Sequence, residues 1–164
     1  MNRFFEKEFF YNWSPNPVDP GLGDFIVVFI RIVGVGLLFV SIFHVFGLAY
    51  FAATLWAGLA EEQARVTWIF NAERRVKAGL NFAIMISLAE MLISGIPVKA
   101  FESLPAFRDH LLGEISSSGL HLVATAIAVI ALQRGASPAP AWFLCAACHL
   151  AYNGLFVRWL NGPV

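Results

Sequence analysis

The chain has 164 residues, of which 59% are apolar and only 13% are charged, against about 45–50% and about 25% in soluble domains. Its 11 basic and 11 acidic residues cancel to a net charge of zero, so the basic footprint of a nucleic-acid-binding protein is excluded and no nucleic-acid partner is expected. The 16 Phe and 5 Trp exclude a disordered chain. With a mean hydropathy of +0.69, the composition predicts an integral membrane protein in contact with the lipid bilayer.

The first 23 residues differ in character from the rest of the chain. Phe and Tyr residues alternate here with charged residues, and three prolines follow between Ser14 and Pro20. Aromatic residues next to charges are typical of a segment that lies at the membrane surface. We therefore predict a short N-terminal interfacial or docking segment at 1–23 and a transmembrane domain at 24–164.

Four apolar stretches in this domain are long enough to cross a bilayer, which takes about 20 helical residues. They predict an all-α, integral membrane four-helix bundle with helices at about 25–60, 75–98, 115–133 and 139–160. Asp24 suits the start of the first helix, and Pro138 suits the start of the fourth. Arg65 falls in the loop after the first helix, and the two ends of the domain fall on one side of the membrane. A multi-pass location in a bacterial inner membrane, or an equivalent energy-transducing membrane, is expected.

Ionisable residues inside these stretches are costly in lipid and are therefore candidates for function. Counting from the predicted helix ends places three of them at a similar depth of roughly 8–12 Å. Ser87 and Ser118 lie on the same helix faces as two of the three, at helical spacing. The sequence thus predicts an intramembrane polar cluster of Arg31, Glu90, His121, Ser87 and Ser118. Such a cluster either joins the helices by hydrogen bonds or forms a site for a cofactor, a quinone or an ion.

A second polar stripe lies on the fourth predicted helix. Together with His44 of the first helix, it gives His149, Tyr152 and Asn153 as candidates for binding a haem, a quinone or a pigment. Cys145, Cys148 and His149 spell C-x-x-C-H, the c-type haem pattern. Because this motif lies inside an apolar stretch, free and buried thiols are expected instead.

The same counting places His149 near the middle of the membrane and His121 at a shallow depth, which disfavours a haem held by two histidines. Glu90 and His121 alone offer too few ligands for a metal, so no metal site is predicted.

Two segments resemble known families. Residues 73–83, Glu-Arg-Arg-Val-Lys-Ala-Gly-Leu-Asn-Phe-Ala, resemble the start of the second helix in the membrane-associated eicosanoid and glutathione metabolism family, which has four transmembrane helices. The resemblance implies glutathione held by Arg74, Lys77 and Asn81, although Ile84 stands where that family has an acidic residue. Residues 41–47 and 149–154 resemble the cytochrome b anchor subunits of succinate dehydrogenase, which implies a quinone or haem near Ser41 and His44.

These observations leave three functions open. The first is a small subunit of a larger electron-transfer, photosynthetic or respiratory membrane assembly, in a structural or cofactor-contacting role, with other membrane subunits or further copies of itself as partners. The second is a glutathione-using membrane enzyme that acts on a lipophilic substrate. The third is a transporter or proton-conducting protein that uses Glu90 and His121. The sequence shows none of the common hydrolase, metalloprotease or nucleotide-binding motifs, so no catalytic residue is assigned.

Overall fold

The computed structural model describes residues 21–93 and 104–160, and these are helical apart from three short connections. No strand occurs in these two ranges. The predicted surface segment at 1–20 and residues 94–98 of the predicted second helix lie outside them. The helices are α1 (Leu22–His44), α2 (Ala49–Asn71), α3 (Arg75–Ile93), α4 (Leu104–Gln133) and α5 (Pro138–Leu160).

The single long helix predicted at 25–60 is wrong, because the chain turns back at Gly47. This glycine has a φ of +69°, a left-handed conformation that residues with a Cβ adopt only at a cost. The N–H of Leu48 donates to the carbonyl of Phe43 at 3.0 Å, closing α1 with the bond pattern that glycine permits at helix ends. Gly135, at +83°, ends α4 in the same way through a bond from Ala136 to Ala131.

The turn at Gly47 changes the architecture from the predicted four helices to five in the described ranges. The expected loop around Arg65 is the second half of α2, and α4 begins at Leu104 rather than near 115. Neighbouring helices run antiparallel: Phe25 meets Trp68, and Arg75 meets Leu132. An odd number of alternating helices puts the start of α1 and the end of α5 at opposite ends, so the prediction of one common side is wrong.

Three helical segments are long and apolar enough to cross a membrane: α1, α3, and residues Leu111–Gln133 of α4. This indicates a multi-pass membrane protein. Helix α2 is different because it carries Glu61, Glu62 and Arg65 within one turn. It packs against each of the other four helices, and residues 62–69 are all buried. The most polar helix is thus enclosed by more apolar ones, as the cost of exposing charge to lipid requires.

Apolar packing fixes α2 from two sides. Towards α1 and α3, the rings of Phe25, Trp68 and Phe82 meet edge to face with centroids 5.8–6.3 Å apart. Towards α4 and α5, Val66 and Ile69 are completely buried in a second cluster. The polar side chains of α2 lie between these two apolar layers.

Candidate functional site

Arg65 is the centre of a buried polar network, and all five of its N–H groups have acceptors. Nε and one Nη2 hydrogen donate to the two carboxylate oxygens of Glu62, at 2.8 and 3.1 Å. Nη1 donates to the carbonyl of His121 at 2.7 Å and to the hydroxyl of Thr125 at 2.8 Å. The other Nη2 hydrogen points to Nδ1 of His121 at 2.7 Å, and the guanidinium lies 5.2 Å from the ring centre of Phe82. Both charged side chains, Glu62 and Arg65, are 0% exposed. Their ion pair and the hydrogen bonds around it offset the free-energy cost of removing the two charges from water.

The contact with Arg65 determines which nitrogen of His121 carries a proton. A guanidinium can only donate, so Nδ1 of His121 must accept and its proton must lie on Nε2. Nε2 then donates to Oε2 of Glu90 at 2.9 Å, and the hydroxyl of Ser117 donates to the same oxygen at 2.9 Å. His121 is therefore neutral here, and both of its ring nitrogens are engaged.

A second histidine reaches the other side of Glu62. Because Arg65 holds Glu62 as a carboxylate, Nδ1 of His149 is the donor in their 2.9 Å hydrogen bond. Nε2 of His149 then faces Oε2 of Glu61 at 3.9 Å. This oxygen is buried and has no hydrogen-bond partner within 21–93 and 104–160.

The network holds more negative than positive charge. Three carboxyl groups, those of Glu61, Glu62 and Glu90, surround a single guanidinium, that of Arg65. Glu62 and Arg65 balance each other, and Glu90 is 27% exposed, which lets water stabilise its charge. Glu61 is only 13% exposed, and an isolated buried carboxylate is strongly disfavoured. A proton shared between Glu61 and His149 neutralises the buried carboxyl group and leaves one excess negative charge, that of the partly exposed Glu90.

An open groove of about 420 Å³ leads to the two outer carboxyl groups. Its walls are mostly apolar residues of α1 and α3, with Phe29 and Ile86 among them, and its polar lining consists of Glu61, Glu90, Glu114 and Ser117. The groove therefore connects the surface of the bundle with the carboxyl group that needs a proton.

Three side chains of this region approach one another as the ligands of a metal centre would. One ligand atom each from Glu61, His121 and His149 lie within 4.8 Å of one another. His121, however, uses the lone pair of Nδ1 for Arg65 and carries its proton on Nε2, so it has no lone pair to offer. Glu61 and His149 remain, and two ligands are fewer than a protein metal centre ordinarily uses.

The structure brings part of the predicted polar cluster together. Glu90 and His121 are in direct contact, and the serine that joins them is Ser117 rather than Ser118, which is half-buried. Ser87 is also half-buried, one turn before Glu90. Arg31 is exposed because it lies off the buried face of α1, which consists of Phe25, Val28, Ile32 and Gly36.

The predicted stripe on the last helix is divided between the network and its surroundings. His149 is buried in the network, whereas Tyr152 donates to the hydroxyl of Ser116 at 2.7 Å and Asn153 is half-buried. His44 is exposed at the end of α1, remote in sequence from this site. Both cysteines are free thiols.

The expected difference in depth between the two histidines is wrong. The ring centres of His121 and His149 are 5.7 Å apart. The reason is the start of α4 at Leu104, which places His121 near the middle of its helix rather than close to its beginning.

The three residues for which glutathione binding is implied lie at the start of α3. Arg74, Lys77 and Asn81 line one open groove of about 960 Å³, at the end of the bundle where α2 connects to α3.

Sequence reasoning missed the acidic pair and the arginine of α2. Residues 61–65 were expected in a loop, where charged residues need no explanation. The available pattern was the pairing of Glu62 with Arg65 at i, i+3, without proline or glycine between Leu59 and Asn71, which is typical of a continuing helix.

Comparison with protein-family models, with curated proteins and with solved structures finds no match for this chain.

Proposed function

We propose that this protein is a proton-conducting or proton-coupled transport protein, in which Glu61 and His149 share the transported proton. The observation that carries the proposal is the buried Oε2 of Glu61, which has no partner in the described part of the chain, faces Nε2 of His149 at 3.9 Å and lines an open groove. A buried carboxyl group beside a neutral imidazole can hold one proton on either side chain, and intramembrane Glu and His residues are typical members of proton relays.

The other network residues have supporting roles in this proposal. Arg65 holds Glu62 as a carboxylate, and Glu62 fixes the proton of His149 on Nδ1 so that Nε2 faces Glu61. The sequence predicted Glu90 and His121 as the proton-conducting pair, but in this proposal these two residues have a different role. Because both nitrogens of His121 are engaged, that pair orients Glu90 at the groove and does not itself exchange a proton.

The test is proton flux into liposomes that contain the purified protein, driven by a potassium diffusion potential and followed with a pH-sensitive dye. We expect flux with the wild type, its loss in Glu61→Gln, and retention in Glu73→Gln, an exposed carboxyl group at the α2–α3 connection. Infrared difference spectra across pH should show a protonated carboxyl band that disappears in Glu61→Gln. If Glu61→Gln keeps wild-type flux, or if the wild type shows neither flux nor this band, the proposal is wrong.

Membership in a larger electron-transfer assembly is a second proposal, and a bacterial inner membrane or an equivalent energy-transducing membrane is its proposed location. It is favoured by large aromatic residues on the outside, since Phe46, Phe51 and Phe143 are 60–70% exposed and aromatic residues are enriched in interfaces. The test is purification in a mild detergent with measurement of mass. Stable co-purifying subunits would support it, and a monodisperse single chain would contradict it.

A further inference from the structure

The groove of about 960 Å³ at the start of α3 combines a basic mouth with an apolar wall. Arg74, Arg75 and Lys77 line it against a single carboxyl group, that of Glu73. Arg74 and Lys77 are exposed, and Asn81 follows Lys77 by one helical turn, adding an amide that can both donate and accept. The mouth thus presents an excess of positive charge with directed hydrogen-bonding groups.

Arg75 makes this mouth a fixed part of the fold. Its Nη1 donates to the carbonyl of Leu132 at 2.8 Å, which ties the start of α3 to the last turn of α4. Gln133 of that turn also lines the groove. Arg75 and Lys77 therefore stand on a helix that is tied to α4, and Arg74 directly precedes this helix.

The wall below the mouth is an apolar stripe on α3. Val76, Leu80 and Ile84 repeat every four residues and line the same groove. They are 51%, 44% and 55% exposed, and the stripe runs for about 12 Å along the helix at 1.5 Å per residue. Since α3 is long and apolar enough to cross a membrane, this stripe extends from the charged end of the bundle towards the bilayer interior.

We infer that this groove binds an anionic phospholipid. The phosphate would lie against Arg74, Lys77 and Asn81, and an acyl chain along Val76, Leu80 and Ile84. Basic pockets at the ends of transmembrane helices are suited to anionic headgroups, and the apolar stripe selects a phosphate that carries a hydrocarbon chain over a free one. The site is separate from the proton site, which faces the other groove.

Glutathione, implied for Arg74, Lys77 and Asn81 by the sequence resemblance, has the negative charge but no chain to cover the stripe. Inorganic phosphate has the same deficit. The two soluble anions are therefore the alternatives that an experiment has to separate from a lipid.

The experiment compares retention of phosphatidylglycerol and phosphatidylcholine by the full chain, measured by native mass spectrometry from mixed detergent–lipid micelles. We expect preferential retention of phosphatidylglycerol, reduced about 30-fold in the double variant Arg74→Ala/Lys77→Ala, because each basic residue near a membrane surface contributes about 1 kcal/mol. Leu80→Asn should weaken retention while both basic residues remain. The matched control is Arg134→Ala, which removes an exposed basic residue near the end of α4 that is not among those lining the groove, and it should retain the lipid.

Three results would overturn the inference. They are unchanged retention in the double variant, equal loss in Arg134→Ala, and displacement of the lipid by glutathione or inorganic phosphate at comparable concentration. The last result, with Leu80→Asn unaffected, would identify a site for a soluble anion. Unchanged melting temperatures of the variants show that the fold is intact.

Discussion

Arg65 of α2 lies 2.7 Å from Nδ1 of His121 on α4, and this contact gives the buried network a direction. Because the guanidinium only donates, each successive hydrogen bond from Arg65 to His121 and from His121 to Glu90 points the same way. The direction leaves His121 neutral. Since Arg65 pairs with Glu62, the excess negative charge of the network belongs to the two outer carboxyl groups, Glu61 and Glu90. The direction is also the reason why the proposed proton exchange is assigned to Glu61 with His149 rather than to Glu90 with His121.

The first prediction is that His121 keeps a single neutral tautomer, with its proton on Nε2. Both ring nitrogens are engaged and the side chain is 0% exposed, so the other tautomer would set two donors against each other at Arg65. Nitrogen NMR of histidine-labelled protein should show one signal pair for His121, that of a neutral ring with its proton on Nε2. The exposed His44 serves as the reference for a ring outside the network. An imidazolium signal assigned to His121 would contradict this assignment.

The second prediction concerns the stability that Arg65 provides. Arg65→Met leaves the fully buried carboxylate of Glu62 without its positively charged partner, and removing one member of a buried ion pair costs about 3–5 kcal/mol. Arg65→Lys should also destabilise, because an ammonium group cannot fill the acceptors arranged around a planar guanidinium. Unfolding in detergent with increasing denaturant measures both effects.

The control for Arg65 is Arg74→Met, which removes an exposed arginine and should change the free energy of unfolding by less than about 0.5 kcal/mol. The double variant Glu62→Met/Arg65→Met should lose less than Arg65→Met alone, since no uncompensated charge remains. Equal stability of Arg65→Met and the wild type would show that the pair is not buried.

How much of the fold follows from the sequence depends on the kind of pattern. Helices α3 and α5 begin where predicted, because Arg75 follows a charged connection and Pro138 follows a turn that interrupts the apolar runs. The first long helix was predicted wrongly because the residues around Gly47 are as apolar as those before and after them. Hydropathy reports how well a segment suits lipid and gives no sign of a turn. The turn is made by the left-handed backbone conformation of a single glycine.

The site was only partly predictable for a related reason. Glu90 and His121 stand out because they interrupt apolar helices. Glu62 and Arg65 do not, since a run of charged residues after an apolar stretch is typical of a loop at the membrane surface. Only the packing of α2 among four other helices shows that these two charges are completely buried, and such packing is not encoded in a local pattern.

The third prediction concerns the close approach of α3 and α4 at Gly79. A Cβ at this position would lie 2.7 Å from Cγ2 of Thr125 and 3.2 Å from Cγ2 of Val129. Gly79→Ala should therefore destabilise by about 1–3 kcal/mol through overpacking, and it should disturb the hydrogen bond from Arg65 to Thr125. Thermal unfolding in detergent measures the change.

Gly119→Ala is the matched control for Gly79, because this glycine also lies within a helix and a Cβ there meets nothing within 4 Å. Replacing it should be neutral or should stabilise by about 0.5–1 kcal/mol, the helix preference of alanine over glycine. Equal effects at the two positions would contradict the close approach of the helices.

The fourth prediction is that the two thiols of the C-x-x-C-H motif differ in reactivity. Cys145 is 0% exposed and donates to the carbonyl of Ala124 at 3.3 Å, whereas Cys148 is half-buried. Because alkylation requires access to the thiolate, a maleimide should label one thiol in the folded protein and two after denaturation. Cys148→Ser should abolish labelling of the folded protein, and Cys145→Ser should preserve it. Labelling of Cys145 at the rate of Cys148 would show that the contact between α4 and α5 opens readily, and the enclosed network beside it would then be accessible as well.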